Sequence, residues 1–193
     1  QGPSRLIDIA VADHGIYSVL DSRRGRIFTY NNDGFLLYVF GGLGNKVGEF
    51  HTPVAIERFD DFFLVLDQEL GEITVFRSTA YGHTIDEAVR SYEQGDEDRA
   101  QALFEDIVNM NINLEFAYTG IGKALLRKDQ FEDAMYHFEQ SLDRRNYSKA
   151  YLLYRNAILR ENFSLVMGVI FFVVAAWIGF SVYRRRSKRK RVL

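Results

Sequence analysis

Residues 20–30 read Leu-Asp-Ser-Arg-Arg-Gly-Arg-Ile-Phe-Thr-Tyr, and 46 residues later residues 66–76 read Leu-Asp-Gln-Glu-Leu-Gly-Glu-Ile-Thr-Val-Phe. In each copy an apolar run ends at an aspartate, and a turn containing glycine leads to a second apolar run. Short β-branched and aromatic runs closed by such turns are typical of strands, and a repeat period in the forties is typical of repeated small sheets. The sequence therefore predicts repeated β-sheet units over residues 1–78.

A longer pattern surrounds the first copy and ends at a proline before the second. It consists of Ile9-Ala10-Val11, Val19-Leu20-Asp21, Arg26-Ile27, Asp33-Gly34, Val39-Phe40-Gly41, Gly44, Gly48-Glu49-Phe50 and Pro53. These residues resemble the NHL repeat, and the resemblance implies blades of an all-β propeller. Because a propeller needs about four to eight blades, we expect the blades to be incomplete here and the remainder to lie upstream. The resemblance implies structural turns at Asp21, Gly25, Asp67 and Gly71.

The repeated aspartates, Asp21 and Asp67, are interpreted as turn caps, because an aspartate after a strand can bond the backbone amides that follow it. Some propellers of this kind are lactonases or lyases whose metal ligands come from several blades, so that alternative places an enzyme site upstream. His14 and His51 lack metal-ligand spacing and are expected in loops. Within this chain we predict no catalytic, cofactor-binding or metal-binding residue.

Residues 82–160 show the 3.6-residue period of helices instead of the two-residue period of strands. Thr84-Ile85-Asp86-Glu87 matches a capping box and is expected to open the first helix. The helical unit recurs after 34 residues and resembles the tetratricopeptide repeat (TPR), which implies helical hairpins stacked in an all-α solenoid. The small and aromatic positions expected to pack the hairpins are Ala88, Ala100, Phe104, Gly122, Ala134 and Phe138.

Residues 163–183 contain no charged side chain and are predominantly apolar. A helix of this length spans about 30 Å, close to the hydrocarbon thickness of a bilayer. The run is apolar on every face, whereas a core helix in a small domain shows a polar stripe. The run is therefore predicted to be a single transmembrane helix.

A basic tail, residues 184–193, follows the apolar run directly. The positive-inside rule assigns such a tail to the cytoplasm, so the repeats are expected on the extracytoplasmic side of the plasma membrane. The cluster expected at the membrane surface, next to anionic lipid head groups, is Arg184, Arg185, Arg186, Lys188, Arg189, Lys190 and Arg191.

The charge distribution and the absence of cysteine exclude several classes of function. The formal net charge of the whole chain is −2, so the residues before the basic tail are acidic, which argues against a nucleic-acid partner. With no cysteine, disulfides and thiol chemistry are excluded.

The expected fold class is mixed and multidomain: a partial propeller, a TPR solenoid and one transmembrane helix. The combination resembles bacterial membrane-anchored NHL/TPR proteins, and both repeat families chiefly bind proteins. We therefore expect a non-enzymatic scaffold without a cofactor, an accessory subunit of a transporter or another multi-pass membrane complex. Two alternatives stay open: a propeller enzyme with its site upstream, and a tail-anchored cytosolic adaptor of opposite topology.

Overall fold

The structure is a computed structural model that describes residues 2–189, with side chains described as far as residue 180. The chain divides into two compact units, Gln1–Ala150 and Tyr151–Leu193. Its described elements, in chain order, are β1 (Leu6–Val11), β2 (Tyr17–Asp21), β3 (Arg26–Tyr30), β4 (Leu36–Phe40), β5 (Pro53–Phe59), β6 (Phe62–Asp67), β7 (Glu72–Arg77), α1 (Ala80–Gln94), α2 (Glu97–Met110), α3 (Glu115–Arg127), α4 (Phe131–Gln140) and α5 (Arg144–Arg189).

The strands form two antiparallel sheets, a first sheet with the order β1-β2-β3-β4 and a second sheet with the order β5-β6-β7. The repeated sequence produces the same register in both sheets, since Leu20 lies opposite Ile27 and Leu66 lies opposite Ile73. In each sheet a glycine with a φ of 60° or 68° lies in the turn between these two strands, a conformation that glycine adopts at little cost. The 46-residue repeat is therefore a repeated strand–turn–strand unit.

The two sheets stack face to face around a shared apolar core. The buried residues of this core are Ala10, Leu20, Ile27, Phe50, Ile56, Phe63 and Val65. At one edge the carboxylate of Asp8 on β1 accepts a hydrogen bond from the backbone amide of Ile56 on β5, at 2.8 Å. The first strands of the two sheets therefore lie side by side.

Helix α1 begins earlier than the sequence predicted. Its N-cap is Thr79, whose hydroxyl accepts a hydrogen bond from the amide of Gly82 at 3.1 Å, and its C-cap is Gly95, with a φ of 81°. The expectation that Thr84 opens this helix is wrong. Thr84 lies inside α1, where its hydroxyl donates to the carbonyl of Ala80 at 3.0 Å.

Helices α1 to α4 pack against one another in chain order, and their short loops make neighbouring helices antiparallel. Their apolar core also includes Leu37 of β4 and Ile16, which directly precedes β2. Ile16 and Leu37 are buried in the same cluster as Ile85 and Val89 of α1. Within the first unit, the helices and the first sheet are therefore packed together.

The structure contradicts the predicted fold class. The described residues form a small α/β protein with two small antiparallel sheets, of four and three strands, and five helices. The sheets do not close into a ring, and between residues 2 and 189 there is no propeller and no TPR solenoid. The fold implied by the resemblances to the NHL and TPR repeats is wrong. A short sequence period determines local hairpins, whereas the closure of sheets into a propeller and the stacking of helices into a solenoid depend on long-range packing. The predicted domain boundaries stay predictions.

Helix α5 is the one helix among the described residues that is long and apolar enough to cross a membrane. Within Arg144–Phe180, the part of α5 whose side chains are described, the most apolar window of 18 residues has a mean hydropathy of 2.4, and none of that window is buried. Its large apolar side chains are exposed, with Phe172 at 75% and Trp177 at 71%. In length and composition the helix is consistent with a membrane span.

Candidate functional site

A buried polar cluster connects both sheets to helix α1. The phenol of Tyr38 on β4 donates a hydrogen bond to Asp86 on α1, at 2.9 and 3.1 Å from its two carboxylate oxygens. Nη2 of Arg58 on β5 lies 2.5 Å from Oδ2 of the same carboxylate. The Arg58 and Asp86 side chains are 4% and 3% exposed. The cluster therefore holds three elements together in the interior of the first unit.

Burial and charge oppose each other in this cluster. Burial raises the pKa of the Asp86 carboxyl, and the Arg58 guanidinium works against that shift. Burial alone would lower the pKa of Arg58, but Asp86 and Tyr38 together outweigh burial, and the pKa is raised. Burial, and then the Asp86 charge, raise the pKa of the Tyr38 hydroxyl. Tyr38 therefore stays a protonated donor, and the cluster acts as a structural ion pair.

The other two nitrogen atoms of the Arg58 guanidinium, Nε and Nη1, are less completely hydrogen-bonded. Its Nε donates to the carbonyl of Asp60 at 3.2 Å, and its plane lies over the ring of Phe63, 4.7 Å from the centroid. Such a contact with the aromatic face is favourable for a cation. Nη1 is buried without a hydrogen-bond partner, and an unsatisfied buried donor costs stability.

Asp21, a predicted turn residue, caps the turn after β2. Its fully buried carboxylate accepts hydrogen bonds from the amides of Arg5 and Arg23, at 3.0 Å each, and from Nη1 of Arg24 at 2.9 Å. Burial acts to raise its pKa, but these hydrogen bonds, led by that of Arg5, outweigh it and lower the pKa to about 2. The contacts with Arg23 and Arg24 stabilise the turn after β2, and the contact with Arg5 holds the chain before β1 against that turn.

Asp67 occupies the same position in the second sheet and is also fully buried. It accepts hydrogen bonds from the amides of His51 at 2.7 Å, Thr52 at 3.1 Å, Glu69 at 3.0 Å and Leu70 at 3.1 Å. Burial again acts to raise the pKa, and the backbone amides, led by that of Leu70, lower it. The two aspartates hold the chain entering each sheet against the turn between its next two strands.

The six predicted helical packing positions, Ala88, Ala100, Phe104, Gly122, Ala134 and Phe138, are all buried. An added Cβ at Gly122 would lie 2.7 Å from the ring of Phe138. The sequence did not lead us to predict one further packing position, Gly120, where a Cβ would lie 2.6 Å from the ring of Phe104. Its signal was the spacing of two glycines along α3, each of which faces a phenylalanine of a neighbouring helix.

The turn between β3 and β4 contacts helix α3. The side-chain oxygen of Asn31 accepts hydrogen bonds from the amides of Asp33 and Phe35, at 3.2 and 2.9 Å, and Asp33 forms an ion pair with Lys123. A cavity of about 20 Å³ lies between the turn and the helices, and it is lined by Thr119, whose buried hydroxyl has no hydrogen-bond partner. That volume fits one water molecule, so the cavity is too small for an organic ligand.

The two outer faces of the sheet stack are apolar and exposed. The outer face of the second sheet includes Phe59, Phe62, Leu66, Ile73 and Val75, which are 69%, 40%, 40%, 58% and 58% exposed. The charged side chains Glu57 and Arg77 lie on the same face. The outer face of the first sheet consists of Ile9, Val11, Tyr17, Phe28 and Tyr30, of which Ile9 and Val11 are 57% and 69% exposed. Contiguous apolar surface of this kind marks interaction sites in folded proteins, so these two faces are the candidate binding surfaces.

The two histidines that were expected in loops, His14 and His51, lie outside regular strands and α-helices. His14 lies in a 3₁₀ turn, 3.3 Å from the side-chain nitrogen of Gln94, and His51 lies 2.7 Å from Asn45 and 3.5 Å from Glu69. Between residues 2 and 189, no group of three or more His, Asp or Glu residues could hold a metal ion.

The predicted membrane-surface cluster lies where the structure describes no side chains. Arg184, Arg185, Arg186, Lys188 and Arg189 fall within the range of α5, and Lys190 and Arg191 lie outside the described residues.

The sequence analysis missed the cluster of Tyr38, Arg58 and Asp86. A signal was present in α1, because Asp86 lies between Ile85 and Val89 on the apolar side of the helix. A charged residue at a core position needs a partner, but the identity of that partner depends on packing between distant elements.

No family model matches this chain, and no curated protein sequence matches it.

Proposed function

We propose that this chain is a membrane-anchored, extracytoplasmic protein that binds other proteins, with residues 2–150 as the binding unit and residues 163–183 as the anchor. The observation that carries the proposal is the 18-residue window of α5 with a mean hydropathy of 2.4 and no buried part. Exposed apolar surface costs about 25 cal/mol per Å² in water. A bilayer removes that cost while the helix satisfies its own backbone hydrogen bonds.

The basic residues after the apolar run support the orientation. Residues 184–191 contain seven arginines and lysines and no acid, and such clusters stay in the cytoplasm. The binding unit then lies on the opposite side of the membrane. Its exposed apolar faces support a binding role, and the anchor favours a partner in the same membrane, such as a transporter or another multi-pass complex.

A protease-protection experiment tests the orientation. The full chain carries one tag after Leu193 and a second at Val47, which is fully exposed in the loop between the two sheets. In intact cells, external protease is expected to remove the Val47 tag and spare the tail tag. Protection of the Val47 tag with removal of the tail tag would instead indicate the opposite topology of a tail-anchored cytosolic adaptor.

Extraction with alkaline carbonate tests the anchor itself. Ile170→Lys combined with Val174→Lys places two charges in the apolar run, each costing about 3 kcal/mol at the centre of a bilayer, and is expected to release the chain from the membrane. Ile112→Lys, at an exposed position of the first unit, is the matched control and should stay in the pellet. Release of the unmodified chain would contradict the proposal.

A further inference from the structure

The outer face of the second sheet repeats positions that are covered in the first sheet. Leu66 and Ile73 are 40% and 58% exposed. Their equivalents 46 residues earlier, Leu20 and Ile27, have the same register and are fully buried, because the second sheet covers them. The outer face of the second sheet therefore has the pattern of a face that another sheet packs against.

The outer face of the first sheet repeats positions that, in the second sheet, pack against the first sheet. Ile9 lies opposite Val19 in the first sheet, as Ile56 lies opposite Val65 in the second. Ile56 is 4% exposed because it packs against the first sheet, whereas Ile9 is 57% exposed. The outer face of the first sheet thus has the same pattern as the inner face of the second sheet, which covers Leu20 and Ile27.

The two outer faces lie on opposite sides of the stack, so they do not meet within the described residues. A second copy can bring its first sheet against the second sheet of the first copy and repeat the contact that already exists between the sheets. We propose that copies of this chain associate head to tail through these two faces, in a heterologous interface. The inference rests on the sheets alone and does not depend on the membrane anchor.

The internal interface indicates which residues should meet between copies. Within one chain, the Asp8 carboxylate reaches the Ile56 amide at 2.8 Å. The residue equivalent to Asp8 is Ala55, since Ala55 lies opposite Leu66 as Asp8 lies opposite Leu20. The residue equivalent to Ile56 is Ile9, so Ala55 of one copy is expected to lie beside Ile9 of the second copy.

The absence of cysteine makes this pairing directly testable by disulfide formation. Full-length Ala55→Cys and Ile9→Cys chains, purified in detergent and carrying tags of different size, are mixed and oxidised. The mixture is expected to give a cross-linked dimer at least tenfold more abundant than either variant alone. A disulfide requires Cα atoms about 4.4–6.8 Å apart, so the product reports the specific register and not mere proximity.

Val47→Cys is the matched control, since Val47 is fully exposed but lies on neither outer face. Mixed with Ile9→Cys, it should give no dimer above background. If Ala55→Cys alone gave as much cross-linked dimer as its mixture with Ile9→Cys, the contact would be symmetric or random, and the head-to-tail arrangement would be overturned. No dimer in the Ala55→Cys and Ile9→Cys mixture would overturn the proposal and leave the faces to another partner.

A second set of variants tests the apolar contact. Ile73→Asp in the Ala55→Cys chain is expected to reduce the cross-linked product at least tenfold, and Val47→Asp in the same chain should leave it unchanged. Circular dichroism checks that each chain is folded. If Ile73→Asp does not fold, Val11→Asp in the Ile9→Cys chain tests the opposing face. A folded face variant that cross-links normally would overturn the proposal.

Discussion

The guanidinium of Arg58 on β5 lies 2.5 Å from the carboxylate of Asp86 on α1, and neither side chain is more than 4% exposed. The pair connects a strand of the second sheet to a helix across 28 residues of sequence. Removing one partner of a buried ion pair costs about 3–5 kcal/mol, because the other charge stays buried without compensation. The contribution of this pair can be tested by removing its members one at a time.

Arg58→Met is expected to destabilise the first unit by about 3 kcal/mol, because Asp86 keeps a buried charge without its cation. Adding Asp86→Leu should recover part of the loss, and adding Tyr38→Phe should recover more by removing the last unpaired donor. Thermal unfolding of the full chain in detergent, followed by circular dichroism, measures the series. Lys128→Met breaks the exposed pair of Lys128 with Asp98 and should cost less than about 1 kcal/mol.

If Arg58→Met behaved like Lys128→Met, the ion pair would not be a buried structural contact. A triple variant less stable than Arg58→Met would show that the cluster cannot be replaced by apolar side chains.

Acid is expected to weaken the turn after β2. The folded pKa of Asp21 is about 2, below its ordinary value of 3.8, so its stabilisation is present above about pH 4 and is lost as the pH falls towards 2. Asp21→Asn should cost about 1–3 kcal/mol at pH 7, and the difference from the unmodified chain should shrink between pH 4 and pH 2. The quantity to measure is the difference in stability between Asp21→Asn and the unmodified chain. The stability of either chain alone would also include the effect of Asp86, whose raised pKa makes stability rise as the pH falls.

Unfolding curves at pH 7, 4, 3 and 2 give this difference. Glu72→Gln, at an exposed position in the other sheet, is the control and should stay within about 0.5 kcal/mol of the unmodified chain at pH 7. A constant difference between Asp21→Asn and the unmodified chain from pH 7 to pH 2 would contradict the role assigned to the carboxylate.

Gly122→Ala is expected to destabilise the helices, because its Cβ would lie 2.7 Å from the ring of Phe138. Overpacking typically costs about 1–3 kcal/mol, which exceeds the gain of about 1 kcal/mol from replacing glycine in a helix. Gly82→Ala is the matched control, because there a Cβ would meet its nearest neighbour at an ordinary 3.6 Å. Thermal unfolding should show a lower midpoint for the first variant and an equal or higher one for the second.

Adding Phe138→Leu to Gly122→Ala should recover part of the lost stability by making room for the methyl group. A midpoint for Gly122→Ala at or above that of Gly82→Ala would show that the ring of Phe138 can move away at little cost.

Some features of the structure are determined by short-range contacts and can be related to the sequence directly. The second strand of each sheet, the aspartate at its end and the glycine turn follow from alternation and turn chemistry within about ten residues. The same is true of small residues such as Gly122 on α3. The N-terminus of α1 was misplaced because Thr79 and Thr84 are both good caps, and only the structure shows Thr79 bonded to a free amide.

The fold class and the buried cluster could not be predicted in the same way. Whether two sheets close into a ring depends on how many further sheets pack against their outer faces, and the repeat of two sheets does not give that number. The pairing of Arg58 with Asp86 requires the second sheet and α1 to be placed against each other. Both features are long-range consequences of packing, for which a single sequence gives only indirect signs such as a charge among apolar positions.

The turn between α4 and α5 contains a residue that is poorly suited to its backbone. Leu142 has a φ of 55° and is 78% exposed, and its neighbour Asp143 donates its amide to the carbonyl of Phe138 at 2.9 Å. A left-handed residue at the end of a helix is favourable as glycine, whereas a residue with a Cβ loses about 1–2 kcal/mol there.

Leu142→Gly is therefore expected to raise the stability of the first unit by about 0.5 kcal/mol, since relief of the backbone strain exceeds the entropy that glycine adds to the unfolded chain. Tyr136→Gly is the matched control, at an exposed position inside α4, and should destabilise by about 1 kcal/mol. Thermal unfolding of both variants measures the contrast. Equal destabilisation would show that the exposed Leu142 side chain stabilises the turn more than its backbone conformation costs, because both variants add the same freedom to the unfolded chain.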